Sequence, residues 1–221
     1  MTWTWKSNFH ALPDLNQACD FAMATLALQA FALTADEALA KSQAWFKSGK
    51  AWSLDFQVQV FYSESPDIAS QKGSLLVADG DRFKLKVAGI EFTSDGESLW
   101  QYNPEQKQVL IKAIEDLSSA FHPSEMLFKY LGCKAKELKE AEFNKQKLWV
   151  LKLDASKYAG QFDQMEVWLS QKDFSPVRLF TVDPSGNSSW YNIINLKVVK
   201  KVSPEDFKFK PGKDVDEIDM R

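Results

Sequence analysis

From Thr34 the hydrophobic pattern starts helical and then changes period. Thr34-Ala35-Asp36-Glu37 has the form of a capping box, with Thr at the N-cap and Glu three residues on. Asp36 and Glu37 also suit the positive end of a helix dipole. Ala38, Leu39, Ser42, Trp45 and Phe46 follow at helical spacing and predict one inward stripe, closed by Gly49. The period then becomes two. Trp52, Leu54, Phe56, Val58, Val60 and Tyr62 alternate with Ser53, Asp55, Gln57 and Gln59, the mark of a half-buried strand. Further strands are predicted at 73–77, 83–87, 90–94, 99–102 and 109–113. Asp79-Gly80, Asp95-Gly96 and Asn103-Pro104 supply turn chemistry between them.

The meander pauses at His122-Pro123-Ser124-Glu125, which introduces Met126, Leu127, Tyr130 and Leu131 as a short helix with an apolar face. Residues 135–143 fit a strand or a helix. Strands resume at 148–154, at Met165, Val167 and Leu169, at 177–182 and at 190–199, with Asp183-Pro184-Ser185-Gly186 as a turn. Pro204 breaks the pattern, and Phe207, Phe209 and 215–220 finish the chain. About ten short strands with frequent turns predict a mainly β (α+β) fold: an incomplete antiparallel β-barrel, or strongly curved sheet, with two helical interruptions.

Residues 1–32 read apart from the rest. Phe21 to Leu33 is an uncharged run of Ala, Leu and Phe ending in Ala30-Phe31-Ala32, a small-x-small pattern. The run is too short to span a bilayer but matches a secretory h-region. Asp14, Asp20 and Pro13 make an atypical n-region, so an ordinary N-terminal helix is the competing reading. The expectation is an exported protein with 1–32 as signal peptide or extension and 33–221 as a single domain. Cleavage would leave Cys133 alone, without a disulfide partner.

Composition narrows the chemistry. The 221 residues carry a net charge of −3 and three arginines, Arg82, Arg178 and Arg221, which argues against nucleic acid and a polybasic membrane anchor. With 2 Cys and 2 His there is little material for a metal centre or for acid–base work. No nucleophile–base motif, Walker loop or dinucleotide fingerprint is present. The expectation is a non-enzyme without cofactor or metal. His122 reads as a solvent-facing loop residue and Cys133 as an idle thiol. Asp214, Asp216, Glu217 and Asp219 read as a solvated acidic tail, and Asn187-Ser188-Ser189 as a turn that happens to form a sequon. What remains is apolar and aromatic surface at strand alternation. A small barrel of this kind either fills its interior or holds an apolar ligand.

The run GSLLVADGDRFKLKVAGIEFTSDGESLWQYNPEQKQVLI, Gly73 to Ile111, resembles the LolA family of periplasmic lipoprotein carriers. Its specific elements are the Gly-led strand, Phe83, and Ser94-Asp95-Gly96 followed by Leu99-Trp100-x-Tyr102-Asn103-Pro104. The helix-led start and the ending Phe207-x-Phe209-x-Pro211 are similar too. The resemblance implies a half-barrel whose apolar cavity receives lipoprotein acyl chains, in a monomer that shuttles them between membranes. It implies cavity walls at Leu54, Phe56, Val58, Val60, Leu75, Val77, Phe83, Leu85, Trp100, Tyr102, Val109, Ile111, Trp149 and Leu151. The implied lid is Leu39, Trp45, Phe46, Met126, Leu127 and Tyr130. Implied partners are an inner-membrane lipoprotein-releasing transporter and an outer-membrane acceptor. That acceptor is in question because Asp79-Gly80 stands where better-known members carry Arg-Pro, the Arg being linked to one-way hand-over. Arg82 alternates away from Phe83's face and does not replace it. The competing class is a lipid- or lipoprotein-sensing module on the same half-barrel.

Overall fold

The structure is a computed structural model that describes residues 33–117, 122 and 127–221. The export reading of residues 1–32 and the lid candidate Met126 lie outside the described residues. One α-helix, α1 (Ala35–Lys47), precedes β1 (Ala51–Phe61), β2 (Ile68–Ala78), β3 (Arg82–Val87), β4 (Ile90–Asp95), β5 (Ser98–Asn103) and β6 (Gln108–Ala113). Then come β7 (Ala135–Phe143), β8 (Gln146–Leu153), β9 (Gln164–Ser170), β10 (Pro176–Val182), β11 (Ser188–Val198) and β12 (Asp216–Asp219). A 3-10 turn at Lys129–Gly132 precedes β7, and another at Pro204–Phe207 precedes β12.

The strands form one open sheet in the order β12-β6-β5-β4-β3-β2-β1-β11-β10-β9-β8-β7. Strands adjacent in the sheet are consecutive in the chain except where β12 joins β6 at one edge and β1 takes β11, where the N-terminal and C-terminal meanders join at the middle. The ambiguous stretch 135–143 is a strand, despite the helix-forming Ala, Glu and Lys it contains. It sits at one edge of the sheet, where charged side chains discourage pairing with another chain. The acidic C-terminus is not a solvated tail: β12 caps the opposite edge, parallel to β6, and all its residues are exposed. Every other pairing described is antiparallel.

Several turns are set by backbone chemistry. Ala88 and Gly89 close β3 onto β4 with φ of 52° and 79°. Asn144 and Lys145 close β7 onto β8 with φ of 50° and 64°, the double left-handed geometry of a two-residue hairpin. Gly96 has a φ of 99°, and a Cβ there would lie 2.4 Å from the Gly80 carbonyl oxygen. Two neighbouring hairpin tips therefore meet where only glycine fits.

Pairing registers sort the side chains into two faces. The inner face carries two apolar clusters. One gathers Trp52, Leu54, Phe56, Leu75, Phe83, Leu85, Phe92, Leu99 and Ile193, the other Leu151, Leu153, Met165, Val167, Leu169 and Leu179. Tyr191 and Leu131 pack against both, so the interior is continuous. A small third cluster of Ala51, Ala78 and Phe207 lies on the outer face.

Candidate functional site

The inner face is roofed by α1 and the segment 127–133. The capping box forms as expected: the Thr34 hydroxyl accepts from the Glu37 backbone N–H at 3.2 Å, and the Glu37 carboxylate accepts from the Thr34 N–H at 2.9 Å. The Thr34 N–H and hydroxyl, both donating to it, hold the Glu37 carboxyl below the usual range. The predicted stripe faces the sheet, with Ala38, Leu39, Ser42 and Phe46 buried and Trp45 half-buried. Ala38 and Leu39 rest on the β8–β10 cluster, while Phe46 rests on the β1–β5 cluster. Gly49 is not a left-handed cap, because Ser48 ends the helix in right-handed geometry. It is small for packing: a Cβ would lie 2.9 Å from Val198 and 3.2 Å from the Trp52 ring.

Leu127, Phe128 and Tyr130 complete the roof, each buried. Phe46 meets Phe128 edge-on at 4.6 Å and Trp52 at 4.9 Å between ring centres. The expected apolar hollow is thus filled in this conformation by the protein's own side chains. Phe56, Phe83 and Leu85 are each 1% exposed. An open groove of about 640 Å³ lies at the rim, lined by Gln43, Phe46, Lys47, Lys50, Trp52, Asp79 and Leu131. Trp52 Nε1 is buried and has no acceptor among the described residues.

Leu54, Phe56, Val58, Val60, Leu75, Val77, Phe83, Leu85, Trp149 and Leu151 share the inner face. Trp100, Tyr102, Val109 and Ile111 do not. Ser94 pairs with Leu99 and Thr93 with Trp100, so Leu99 turns inward and Trp100 outward, and Tyr102 and Val109 follow Trp100. Strand 98–103 is apolar on both faces, so alternation alone could not choose between them. Residues absent from the expected wall are Trp52, Phe92, Leu99, Met165, Val167, Leu169, Leu179 and Ile193. Their alternation was readable, but nothing local distinguished lining from ordinary core.

Polar contacts are few. The Ser42 and Tyr130 hydroxyls share a fully buried hydrogen bond of 3.0 Å. Burial pushes the Tyr130 phenol far above its usual range. Gln43 Nε2 donates to the Leu131 carbonyl at 2.9 Å. Both bonds tie α1 to the 127–133 segment. Among the described residues, no hydrogen bond of α1 reaches a strand.

The remaining candidates carry no chemistry of bond-making. The buried Cys133 thiol donates weakly toward Met165 Sδ at 3.7 Å, and burial raises its pKa, so it is not a poised thiolate. His122 is not a solvent-facing residue. Its side chain is 21% exposed, its Nε2 lies 3.4 Å from an Asp81 carboxylate oxygen, and its ring meets Phe83 edge-on. Among the described residues no group of three His, Cys, Asp or Glu could hold a metal. Asn187 is engaged in its turn: its Nδ2 donates to Asp183 and its Oδ1 accepts from the Ser63 N–H. Arg82 points outward as expected, donating to the Asp79 carbonyl at 2.8 Å and lying over the Phe207 ring.

Comparison with known proteins agrees with this architecture. Residues 47–210 match the family described as Outer membrane lipoprotein carrier protein LolA. A protein from Haemophilus ducreyi named outer-membrane lipoprotein carrier protein is 24% identical over 201 residues, covering 88% of this chain and 90% of its own. An uncharacterized conserved protein from Thermus thermophilus shares the fold with a TM-score of 0.53 at 14% identity, covering 84% of this chain and 98% of the other. LprF from Mycobacterium bovis shares it with a TM-score of 0.52 at 11% identity, covering 76% and 95%.

Proposed function

The chain belongs to the LolA family, and from that premise we propose that it is a periplasmic carrier that shelters lipoprotein acyl chains between its inner sheet face and α1. One observation carries the reading: α1 is held to the sheet by apolar contact, while its polar ties run to the 127–133 segment and not to a strand. Apolar contact is non-directional, so a hydrocarbon chain can replace Phe46, Leu127 or Leu39 without leaving a hydrogen bond unmade. Hydrogen bonds to a strand would have to be broken at each loading.

The magnitudes suit reversible carriage. A buried methylene contributes about 0.8 kcal/mol, so one long acyl chain offers on the order of 10 kcal/mol. Displacing the roof re-exposes apolar side chains worth about 1.5–3 kcal/mol each. The two terms nearly offset when several such side chains move, and the cargo remains releasable. Broad rings such as Phe56, Phe83 and Trp52 give contact area without fixed partners, which suits chains of varying length. An inner-membrane donor and an outer-membrane acceptor are the partners this cycle needs. Asp79, which lines the rim groove in place of the family's Arg, is where hand-over in this chain would differ.

The test is a reversible lock. An engineered disulfide between α1 and β7, in a background with Cys133 replaced by Ser, should weaken uptake of a fluorescent fatty-acyl probe at least tenfold, and reductant should restore it. Undiminished uptake in the locked protein would refute loading beneath α1. Native mass spectrometry of protein drawn from periplasm should show retained lipoprotein or lipid.

A further inference from the structure

The outer face is not uniform. Over β1–β6 it is partly covered by residues 204–221, but over β8–β11 it carries Trp168, Phe180 and Trp190, all half-buried, with Arg178 among them. The Arg178 guanidinium lies 3.9 Å from the ring centres of both Phe143 and Trp190, and 5.3 Å from that of Trp168. Its Nε donates to Asn192 Oδ1 at 2.7 Å. Among the described residues no carboxylate pairs with it. The nearest acid across the ladder, Glu166, stands opposite Phe180 and Lys152. Asp55, on the same face, accepts instead from Asn195 at 2.9 Å.

This leaves a surplus of donors. A guanidinium has five N–H groups, and one of them is used here. Trp168 Nε1 is buried and also has no acceptor among the described residues. Burial opposes the charge on Arg178 without a counter-charge to compensate it. A groove of about 390 Å³ opens beside Arg178, edged by the amides of Gln57, Gln59 and Asn192. Ile194, at its edge, is 42% exposed. A cation held between rings, short of acceptors and ringed by indoles and amides, is complementary to an oxyanion whose neighbours are apolar. Indole rings at that boundary are the side chains favoured where a bilayer meets water.

We propose that this face is a docking surface for a bilayer, with Arg178 receiving the phosphate of an anionic phospholipid headgroup while Trp168, Trp190 and Ile194 rest at the interfacial level. The acidic net charge of the whole chain rules out attraction by bulk positive charge, so recognition here is local and geometric. The guanidinium fork can grip two phosphate oxygens, which a lysine ammonium at the same place cannot do. This surface lies on the opposite side of the sheet from α1, so it stands independently of acyl-chain loading.

The experiment is co-sedimentation of the full chain with vesicles of phosphatidylglycerol in phosphatidylcholine, against vesicles of phosphatidylcholine alone. Wild type should bind the anionic vesicles. Arg178→Gln should bind at least fivefold more weakly, and Arg178→Lys should recover less than half of the difference. Brominated lipid should quench the tryptophan emission of wild type, and Trp190→Phe should lose part of that quenching. Acyl-probe uptake, unchanged in every variant, confirms folding and separates this test from that of carriage. If Arg178→Gln does not fold, the lysine variant and the quenching decide. Equal vesicle binding by wild type and the folded variants would overturn the proposal. So would equal binding to both vesicle types, or saturation by glycerol 1-phosphate without any vesicle binding, which would mark a soluble ligand.

Discussion

The sheet is covered twice, and the two coverings are attached in opposite ways. On the inner face, α1 and residues 127–133 bury Leu39, Phe46, Leu127 and Tyr130, and no hydrogen bond of α1 reaches a strand among the described residues. On the outer side, residues 204–209 lay Phe207 and Phe209 against the strands and the segment runs on into β12, which is hydrogen-bonded into the sheet edge beside β6. The Asp216 N–H donates to the Lys107 carbonyl and the Met220 N–H to the Ile111 carbonyl, both at 2.8 Å, and Arg221 Nη1 reaches the Ser98 hydroxyl at 2.9 Å. One covering can be exchanged for something equally apolar. The other is part of the sheet, and its removal would strand backbone donors and acceptors. The difference makes α1 the element that the proposed loading would displace.

The largest expected effect tests that contrast directly. Phe207, on the outer covering, is completely buried against Ala51 and Ala78. Phe207→Ala should cost about 3–5 kcal/mol in urea unfolding. Phe46→Ala should cost at least ~1 kcal/mol less, because a helix with no hydrogen bond to a strand can settle into the gap it leaves. The same variant should load an acyl probe faster than wild type, and Phe207→Ala should not. Equal losses with unchanged loading for Phe46→Ala would mean that the inner covering is as permanent as the outer.

The difference in attachment also explains what could be read beforehand. The inner covering announced itself, since a capping box and a stripe at helical spacing are local signals, and α1 begins and faces as they dictate. The long strand 51–61 was equally plain from its period of two. The outer covering was invisible. β12 is Asp-Glu-Ile-Asp, poor strand formers apart from Ile218, and it is a strand because β6 offers an unpaired edge. β7 was ambiguous for the related reason that edge strands carry charge where central strands carry valine. The error at Trp100, Tyr102, Val109 and Ile111 has the same root: Val109 is buried on the outer face. Tyr102 there packs against Phe209 of the covering segment. A strand apolar on both sides does not say which side holds the site.

A smaller effect sharpens the picture of the roof as one body. Tyr130→Phe leaves the buried Ser42 hydroxyl without its partner, and should destabilise by about 1–3 kcal/mol. Replacing Ser42 with Ala in that background should return most of the loss, because both sides of the contact are then apolar. If α1 and 127–133 move together, Tyr130→Phe should also make probe uptake biphasic, one piece opening ahead of the other. A single phase, with stability lost as expected, would indicate that the pieces already move separately.

The smallest effect concerns the other covering and separates the two by pH. The Asp219 carboxylate accepts from the Arg221 side chain at 2.6 and 2.9 Å and from the Arg221 backbone N–H at 3.1 Å. These contacts hold its pKa down at about 2. An unfolded Asp titrates near ~3.9. Because the folded value is the lower one, the stabilisation is fully present above about pH 4 and disappears as pH falls toward about 2. The pair is open to solvent, so the change is slight and salt-sensitive. It should appear as loss of hydrogen-exchange protection at the Met220 amide across that window, and Asp219→Asn should flatten the dependence. The Ser42–Tyr130 bond joins two hydroxyls that stay protonated throughout the same range, so beyond the first turn, whose Glu37 cap loosens with acid, the exchange of α1 amides should not follow it. A parallel acid response in α1 that persists in Glu37→Gln would mean that the inner roof and the outer strap are coupled through the sheet, and their independence would have to be given up.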